Sequence, residues 1–340
     1  MRATIKDVSR VAGVSVATVS NVLNSPDIVA EQTHDRVMAV IEQLGYKPNR
    51  AARALQQQRT FSIGYQMPRE TDGFALDVFL HRVVERAEEA DLAIVLFAPR
   101  PGQDQVDAYR EMIRRGAVDG FVISATGHGD DRIEHLLEAG FPFVTFGRTD
   151  FSGDHAWVDV DGCAGADLAT AHLLDRGHRE IAFIGWPEGS ITGDERSSGY
   201  RRALADRGVS VRPELVVRTE NGVEPGSTAM QQLLDLENPP TAVVAVQDLL
   251  ALGAMNAIRE RGLTIGRDMA VVGFDDIPSA ALASPALSSI RQPMDRVGEL
   301  VVEMLVEELD EDSVGTARTG ILTPELVVRA SSGPDGGSTR

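Results

Sequence analysis

The chain changes its hydrophobic rhythm near residue 60, and this change constrains its fold more than any other feature. Before that point, apolar residues recur three and four positions apart, which is typical of short helices. Beyond it, apolar runs of four to six residues alternate with longer amphipathic stretches. Such alternation predicts doubly wound parallel sheets, because each strand is followed by a helix that packs back on the sheet. The α/β body of about 270 residues exceeds one such core and favours two.

Eight strands are predicted in the body. They are Phe61–Tyr65, Leu92–Phe97, Gly120–Ser124, Phe143–Phe146, Ile181–Trp186, Leu215–Arg218, Ala242–Val246 and Met269–Phe274. The last ten residues, 331–340, are rich in Gly, Ser and Pro, and we predict a disordered tail there.

Three short helices are predicted at the N-terminus. Thr4 and Asp7 have the spacing of a capping box at the start of the first helix. Gly13 permits a tight turn, and Ser15 is positioned to cap the second helix. The third helix is predicted from about residue 30 to residue 44. Two short helices joined by a tight turn can form a helix-turn-helix, whose second helix fits the major groove of DNA.

Taken as a whole, the net charge of −18 argues against DNA binding, since phosphates repel an acidic surface. However, residues 1–59 contain eight basic and five acidic side chains, whereas the rest contains 25 basic and 46 acidic ones. Such asymmetry indicates a nucleic-acid-binding segment on an acidic body. On charge alone, a chance fluctuation in a short window explains the difference equally well.

The sequence gives little support to the hypothesis that the protein is an enzyme. The only lysines are Lys6 and Lys47, and neither follows a glycine as a phosphate-binding loop requires. The segment 127–129 lacks the third glycine of a dinucleotide-binding fingerprint, and the seven histidines show no metal-ligand spacing. Cys163 lies in a small-residue stretch typical of a packed helix start. Because it is the only cysteine, an intramolecular disulfide and a cysteine zinc site are excluded. We therefore expect no catalytic residues, no metal and no cofactor.

The residues 3–24 resemble the headpiece of the LacI/GalR family of bacterial transcription regulators, and the resemblance extends over nearly the whole chain, to about Ala330. Further matching segments of the headpiece region are Thr33–Val37, Leu44–Asn49 and Ala52–Leu55. The matching segments of the body are Val158–Gly162, His172–His178, Ile181–Gly185, Gln247–Gly253 and Val271–Asp276.

The resemblance implies an N-terminal helix-turn-helix headpiece and two Rossmann-like subdomains joined by three crossovers, as in type I periplasmic sugar-binding proteins. It also implies a homodimer on pseudo-palindromic double-stranded operator DNA, with a small effector between the subdomains. The expected boundaries are 1–46 for the headpiece, 47–60 for a hinge helix and linker, 61–161 with 291–320 for the N-terminal subdomain, and 162–290 with 321–330 for the C-terminal subdomain.

By resemblance, Val16, Ala17 and Asn21 read base edges. Asn can bond adenine N6 and N7, and Val or Ala can pack on a thymine methyl group. Many relatives have Arg in place of Asn21. We therefore do not expect this chain to read the same base at that position as the operators of those relatives contain. Leu55 is expected to wedge into the minor groove, unless it packs against the body instead. The residues expected to contact phosphates are Thr4, Ser15, Thr18, Asn24, His34, Tyr46, Asn49 and Arg53.

Ligands of doubly wound folds lie beyond the carboxyl ends of the strands. Candidate effector residues that follow predicted strands are Arg100, Arg148, Trp186, Gln247 and Asp275. The resemblance also implies that Arg196, Asn221 and Phe79 bind the effector. For Arg148, a structural salt bridge is the competing interpretation.

Arginine, aspartate and tryptophan together favour a neutral sugar or glycoside, because Arg and Asp bind adjacent hydroxyls and indole stacks on a pyranose. A purine effector with corepressor action is the main alternative. A sugar receptor without a regulatory role would share the body fold, but it should have a signal peptide and lack the helix-turn-helix. We expect a cytoplasmic, effector-controlled transcription regulator, most simply a repressor, without membrane association.

Overall fold

The computed structural model describes residues 3–24, 26–46, 59–67, 74–150, 154–310 and 318–333. The chain divides into two compact units, a headpiece up to Phe61 and a core from Ser62 onward. In the described part of the headpiece, three α-helices follow one another: α1 (Ile5–Ala12), α2 (Val16–Asn24) and α3 (Glu31–Leu44).

Local capping fixes the ends of the headpiece helices as the sequence predicted. The Asp7 carboxylate accepts hydrogen bonds from the backbone N–H of Thr4 at 3.0 Å and from its hydroxyl at 2.7 Å. Gly13 ends α1 with φ +65°, a conformation that side-chain-bearing residues rarely adopt. The Ser15 hydroxyl accepts from the backbone N–H of Thr18 at 3.0 Å and thereby caps α2. The apolar faces of the helices then meet in one small core, formed by Val8, Ala12, Val19, Val22, Val37 and Val40.

The described part of the core forms two six-stranded sheets. The first sheet consists of β1 (Ser62–Gln66), β2 (Ala93–Phe97), β3 (Gly120–Ile123), β4 (Phe143–Phe146), β5 (Ala156–Val160) and β11 (Thr319–Leu322). The second consists of β6 (Ile181–Gly185), β7 (Val216–Arg218), β8 (Ala242–Ala245), β9 (Ala270–Asp275), β10 (Ser288–Arg291) and β12 (Glu325–Val327). The first sheet has the order β11-β5-β4-β3-β1-β2, and the second has the order β12-β10-β9-β8-β6-β7. Every pair of these strands is parallel except β10 with β12.

Helices connect these strands and cover the sheets. The described core helices are α4 (Phe74–Glu89), α5 (Gln105–Arg114), α6 (Asp131–Ala139), α7 (Gly162–Asp175), α8 (Ile191–Asp206), α9 (Val223–Leu234), α10 (Asp248–Glu260), α11 (Pro278–Leu282) and α12 (Met294–Glu308). In the C-terminal subdomain α7 packs on α8 and α9 packs on α10, whereas α12 packs on α4 of the N-terminal subdomain. In the described ranges, no helix is both long enough and apolar enough to span a bilayer.

The chain crosses between the two subdomains three times. Successive strands change sheets after Val160, after Arg291 and after Leu322. The boundaries expected from the sequence were 161/162, 290/291 and 320/321. Each subdomain is therefore assembled from separate chain segments, which the three connections join.

The eight predicted strands are all present, with ends that differ by about one residue. Phe61 is outside the first strand because its φ of +53° is incompatible with extended backbone. The strands β5, β10, β11 and β12 were not predicted. In β10 the apolar run is missing, because Ser288 and Ser289 are polar although both are fully buried. Burial, and not hydropathy, identifies that strand.

The prediction of a disordered tail is wrong for the first residues of that segment. Ser331 and Ser332 are fully buried in the C-terminal subdomain. The Ser331 hydroxyl donates to the carbonyl of Val271 at 2.6 Å, and the Ser332 hydroxyl lies 2.9 Å from Nε2 of His172. Small hydroxyl side chains looked like a flexible segment in the sequence, but here they satisfy buried backbone groups. The rest of the predicted tail, 334–340, lies outside the described residues.

Candidate functional site

The exposed face of α2 presents the residues expected to read bases. Val16, Ala17 and Asn21 are exposed, whereas Val19 and Val22 on the opposite face are buried in the headpiece core. This division follows from helical spacing, because residues three and four apart share a face. The helix therefore offers a short side-chain surface of the kind that enters a major groove.

The structure describes the side chains of five of the polar residues expected to contact phosphates. Thr4 and Ser15 are exposed, and Thr18 is half-buried with its hydroxyl 2.8 Å from that of Ser15. His34 is half-buried beside Asp35, and Tyr46 packs against the headpiece core. Asn24 is the last residue of α2. The remaining expected contacts, Asn49, Arg53 and Leu55, lie outside the described residues.

A cleft of about 540 Å³ lies between the two core subdomains, beyond the carboxyl ends of their strands. Its volume is in the range of small-molecule sites. The N-terminal side includes Phe146 at the end of β4 and Asp159 on β5, and the C-terminal side includes Trp186 after β6. The other described lining residues are Leu76, Ala125, Thr126, Gly147, Val160, Pro187, Ser190, Thr192, Arg196, Glu220, Asn221, Gln247, Asp275, Gln292 and Met294.

Arg196 and Asp275 face each other at the floor of the cleft, with 3.8 Å between Nη1 and Oδ1 and about 5% side-chain exposure each. The Arg196 guanidinium also donates to the carbonyl of Val246 at 2.6 Å, and its central carbon lies over the Phe274 ring, 3.6 Å from the ring centroid. The Trp186 ring is 5.4 Å from the same guanidinium. Stacking and hydrogen bonding thus hold the arginine rigidly toward the cleft.

Asp275 is held in an unusual backbone conformation. Its φ is +108°, a region that aspartate rarely adopts, and its Oδ1 accepts from the Gln292 amide at 2.7 Å. Burial raises the pKa of Asp275, and the Arg196 charge opposes that rise. Burial lowers the pKa of Arg196, and Asp275 opposes that fall. Strain and desolvation at one carboxylate are typical of a functional position.

Several buried polar atoms on the cleft wall have no protein partner among the described residues. They are both carboxamide atoms of Asn221, the indole Nε1 of Trp186 and Nε of Arg196. Buried polar groups are nearly always hydrogen-bonded, so unsatisfied donors and acceptors gathered at one cavity indicate a place for a polar ligand. No group of His, Cys, Asp or Glu that could hold a metal is present within the described ranges.

Of the eight predicted effector residues, five line the cleft: Trp186, Arg196, Asn221, Gln247 and Asp275. Arg148 lies at its edge instead, where its Nε donates to Asp159 at 2.9 Å and its Nη2 contacts Glu195 at 2.6 Å. The competing salt-bridge interpretation therefore describes the contacts of Arg148 in this structure.

Two other predicted residues are not on the cleft wall that the structure describes. Phe79 is fully buried, with its ring centroid 6.0 Å from that of Tyr65 and 5.1 Å from that of Phe146. Phe146, which is half-buried, lines the cleft in front of Phe79. Arg100 is exposed after β2, which is an edge strand of its sheet and therefore distant from the strands beside the cleft.

Sequence reasoning missed several lining residues. Phe146 is the last residue of a predicted strand, so the rule that found Trp186 could have found it too. Asp159 lies on β5, which was not among the predicted strands. Gln292 follows β10, which has no hydropathy signal, and Glu220 lies in a loop without a motif. For these last two, only the assembled fold reveals their position.

Comparison with known proteins supports the same division of the chain. Residues 4–49 match the model of bacterial regulatory proteins of the lacI family, and residues 170–332 match that of the periplasmic binding protein-like domain. The HTH-type transcriptional repressor PurR of Haemophilus influenzae (strain PittEE) is 31% identical over 337 residues, which cover 97% of this chain and 98% of the relative.

Two solved structures extend this similarity over both units. The complex of transcriptional regulator CelR with cellobiose is 30% identical, covers 97% of this chain and 100% of that chain, and has a TM-score of 0.74. The Lac repressor dimer bound to operator and the anti-inducer ONPF is 26% identical, covers 98% of this chain and 100% of that chain, and has a TM-score of 0.79. The chain therefore belongs to the LacI family of bacterial regulatory proteins, as a DNA-binding transcriptional repressor and not an enzyme.

Proposed function

We propose that this repressor is controlled by a sugar or glycoside that binds in the cleft and lowers its affinity for operator DNA. The observation that supports this most is the set of unsatisfied polar atoms of Asn221, Trp186 and Arg196 at the cleft wall. A sugar offers hydroxyls, each a donor and an acceptor, that can satisfy such groups. The cellobiose bound to the related CelR regulator supports the same class of effector.

Five residues would hold the effector in this proposal. Trp186 provides a flat apolar face for a pyranose ring, and Arg196 and Asp275 provide forked partners for adjacent hydroxyls. Asn221 and Gln247 add amide groups that can both donate and accept. Arg148 and Phe79 would support the site without contacting the effector. Arg148 would act through its ion pair with Asp159, and Phe79 through its packing on Phe146.

A purine acting as a corepressor is the second candidate. The related PurR repressor supports it by name, and two aromatic residues from opposite walls, Trp186 and Phe146, could enclose a flat base. The Asn221 carboxamide can also bond bidentately to a purine edge. The sign of regulation separates the two: an inducer releases operator, whereas a corepressor tightens its binding.

On the DNA side, we propose that a homodimer binds a pseudo-palindromic operator, as the Lac repressor dimer binds operator. Val16, Ala17 and Asn21 would read bases, and the polar residues around α2 would position the headpiece on phosphates. Leu55 would wedge into the minor groove between the half-sites. Such a protein works in the cytoplasm, where the operator is.

Effector control requires that the effector prefer the arrangement of the core that binds DNA weakly. The five residues named above all belong to the C-terminal subdomain, and Phe146 and Asp159 would contact the effector from the N-terminal subdomain. Contacts with both walls would give the effector such a preference, because they are complete only at one angle between the subdomains. The strands that cross between the subdomains would transmit that angle toward the hinge and headpieces.

The chain contains only two tryptophans, Trp157 and Trp186, and this allows a direct test. Trp157 is half-buried on β5 and is not among the described residues that line the cleft. In the Trp157→Phe protein, fluorescence therefore reports on Trp186 alone. We expect a saturable fluorescence change with the true sugar, and no change with purines.

The matched variant Trp186→Phe should keep operator binding but lose the fluorescence response and bind effector at least tenfold more weakly. The operator itself would come from selection of bound sequences from a random DNA pool. A gel-shift titration on that operator then gives the sign of regulation. Binding of a purine base that tightens the operator complex would replace the sugar proposal with the second candidate.

A further inference from the structure

The described cleft wall contains more carboxylates than guanidinium groups. Asp159, Glu220 and Asp275 line it, and Arg196 is the one basic residue among the described lining residues. Glu195 and Arg148 lie next to the cleft as an ion pair, so together they add no net charge to its surroundings. The electrostatic environment of a bound effector is therefore negative on the whole.

The basic groups near the cleft already have anionic or carbonyl partners. Arg196 contacts Asp275 at 3.8 Å and donates to a backbone carbonyl at 2.6 Å. Arg148 lies between Asp159 at 2.9 Å and Glu195 at 2.6 Å. The core sequence contains no lysine that could add a positive charge. An incoming phosphate group would have to compete with these carboxylates for each arginine.

Helix N-termini are the other common site for a phosphate group, because their backbone N–H groups point outward. Two helices that begin beside the cleft have side-chain caps: Asp161 accepts from the first turn of α7 at 2.7 Å, and Ser190 accepts from that of α8 at 3.1 Å. The next two helices have an acidic residue in the first turn, Glu224 in α9 and Asp248 in α10. These acids already use the favourable end of the helix dipole.

We propose that the cleft selects an uncharged effector and rejects its phosphorylated form, with Asp159 and Glu220 as specificity-determining residues. The inference rests on the proposed function, since it narrows the class of effector that the same cleft binds. Hydroxyl groups can donate to these carboxylates, whereas a phosphate dianion cannot and is repelled by them. The cleft thus distinguishes a free sugar or glycoside from the sugar phosphate that sugar uptake or metabolism often produces.

The test uses the full-length Trp157→Phe protein and matched pairs of probes: glucose and glucose 6-phosphate, cellobiose and its 6-phosphate, inosine and inosine 5′-monophosphate. Fluorescence titration and thermal shift at low ionic strength give the affinity of each member. We expect at least one parent compound to bind and its phosphate ester to bind at least tenfold more weakly. The difference in affinity between a parent compound and its ester should become smaller at high salt, because salt screens charge repulsion.

Charge-neutralising variants test the named residues. Glu220→Gln and Asp159→Asn should each improve the relative affinity of the phosphate ester severalfold, and the two together should improve it further. Glu237→Gln is the control, since Glu237 is exposed and is not among the described residues at the cleft. Glu220 is exposed, so its variant should fold normally.

A phosphate ester that binds as tightly as its parent, or more tightly, would overturn the inference while leaving an effector-controlled repressor intact. If the ratio of parent affinity to ester affinity were the same in the Glu220, Asp159 and Glu237 variants, the role of the two carboxylates would be overturned. If no parent and no ester bind, the proposed class of effector fails, and the inference fails with it. Operator binding of the same protein preparation distinguishes that result from misfolding.

Discussion

Arg148 of the N-terminal subdomain and Glu195 of the C-terminal subdomain form an ion pair across the cleft, with 2.6 Å between Nη2 and Oε1. Arg148 is fixed within its own subdomain by Asp159, whereas Glu195 precedes Arg196 on α8. Burial raises the pKa of Glu195, and the Arg148 charge opposes that rise. The pair therefore links the two walls of the cleft directly next to its central arginine.

We expect Arg148→Gln to destabilise the core more than Glu195→Gln, because it leaves two carboxylates, Asp159 and Glu195, without their shared cation. A double-mutant cycle on the free energy of unfolding should give a coupling energy of about 0.5–2 kcal/mol, reduced for partial exposure. Chemical denaturation of the two single variants and the double variant measures it. Strictly additive effects would show that the two side chains do not interact in solution.

Asp248 gives the core an unusual pH dependence. It is fully buried, and its carboxylate accepts from the Ser289 hydroxyl at 2.6 Å and from the backbone N–H of Ile277 at 2.8 Å. Burial, and then repulsion from Asp275, raises the pKa of Asp248 well above its ordinary value of 3.8. The folded state therefore holds this proton at pH values where the unfolded chain has lost it.

As a result, the contribution of Asp248 to the free energy of unfolding is greatest below about pH 4 and falls as the pH rises through the folded-state pKa. The difference in unfolding free energy between the wild type and Asp248→Asn should thus shift in favour of the variant as the pH rises. Denaturant unfolding at several pH values measures this. Asp268, whose pKa is lowered to about 2 by Arg267, is the comparison, since Asp268→Asn should show the opposite slope. A pH-independent difference for Asp248→Asn would contradict the prediction.

Gly253 allows α9 and α10 to pack closely. A Cβ atom built there would lie 2.0 Å from the backbone carbonyl oxygen of Val223, and backbone cannot move aside cheaply. We expect Gly253→Ala to lower the free energy of unfolding by about 1–3 kcal/mol through overpacking. Gly127→Ala is the matched control, because nothing lies within 4 Å of its Cβ position and its φ is ordinary. Equal stability of the two variants would show that the helices can separate without cost.

Ser15 caps the helix that presents the base-reading residues. We expect Ser15→Ala to destabilise α2 by about 1 kcal/mol, because the backbone N–H of Thr18 loses its acceptor. Hydrogen exchange of the α2 amides in the full-length protein without DNA should be roughly fivefold faster. Ser15→Asp retains an acceptor oxygen and should restore the protection. Failure of the aspartate to do so would mean that the hydroxyl acts in another way.

The three described helices of the headpiece could be predicted from sequence almost to the residue. Thr4, Gly13 and Ser15 act on backbone groups within five positions of themselves, so their effects do not depend on distant parts of the chain. The same holds for most strands of the core, where a short apolar run bounded by turn residues suffices. Such strand predictions fail where a buried strand is polar, as at Ser288 and Ser289 in β10.

For the cleft, the sequence by itself determined that polar and aromatic residues follow consecutive strands, and parallel pairing then brings Trp186, Gln247 and Asp275 to one edge. Only the tertiary structure decided which neighbours they meet. It joined Arg148 to Glu195, buried Phe79 behind Phe146, and left Arg100 on the surface after an edge strand. The physical reason is that these contacts connect segments far apart in the chain, and their partners are set by sheet order and the three crossings between subdomains, which no local pattern specifies.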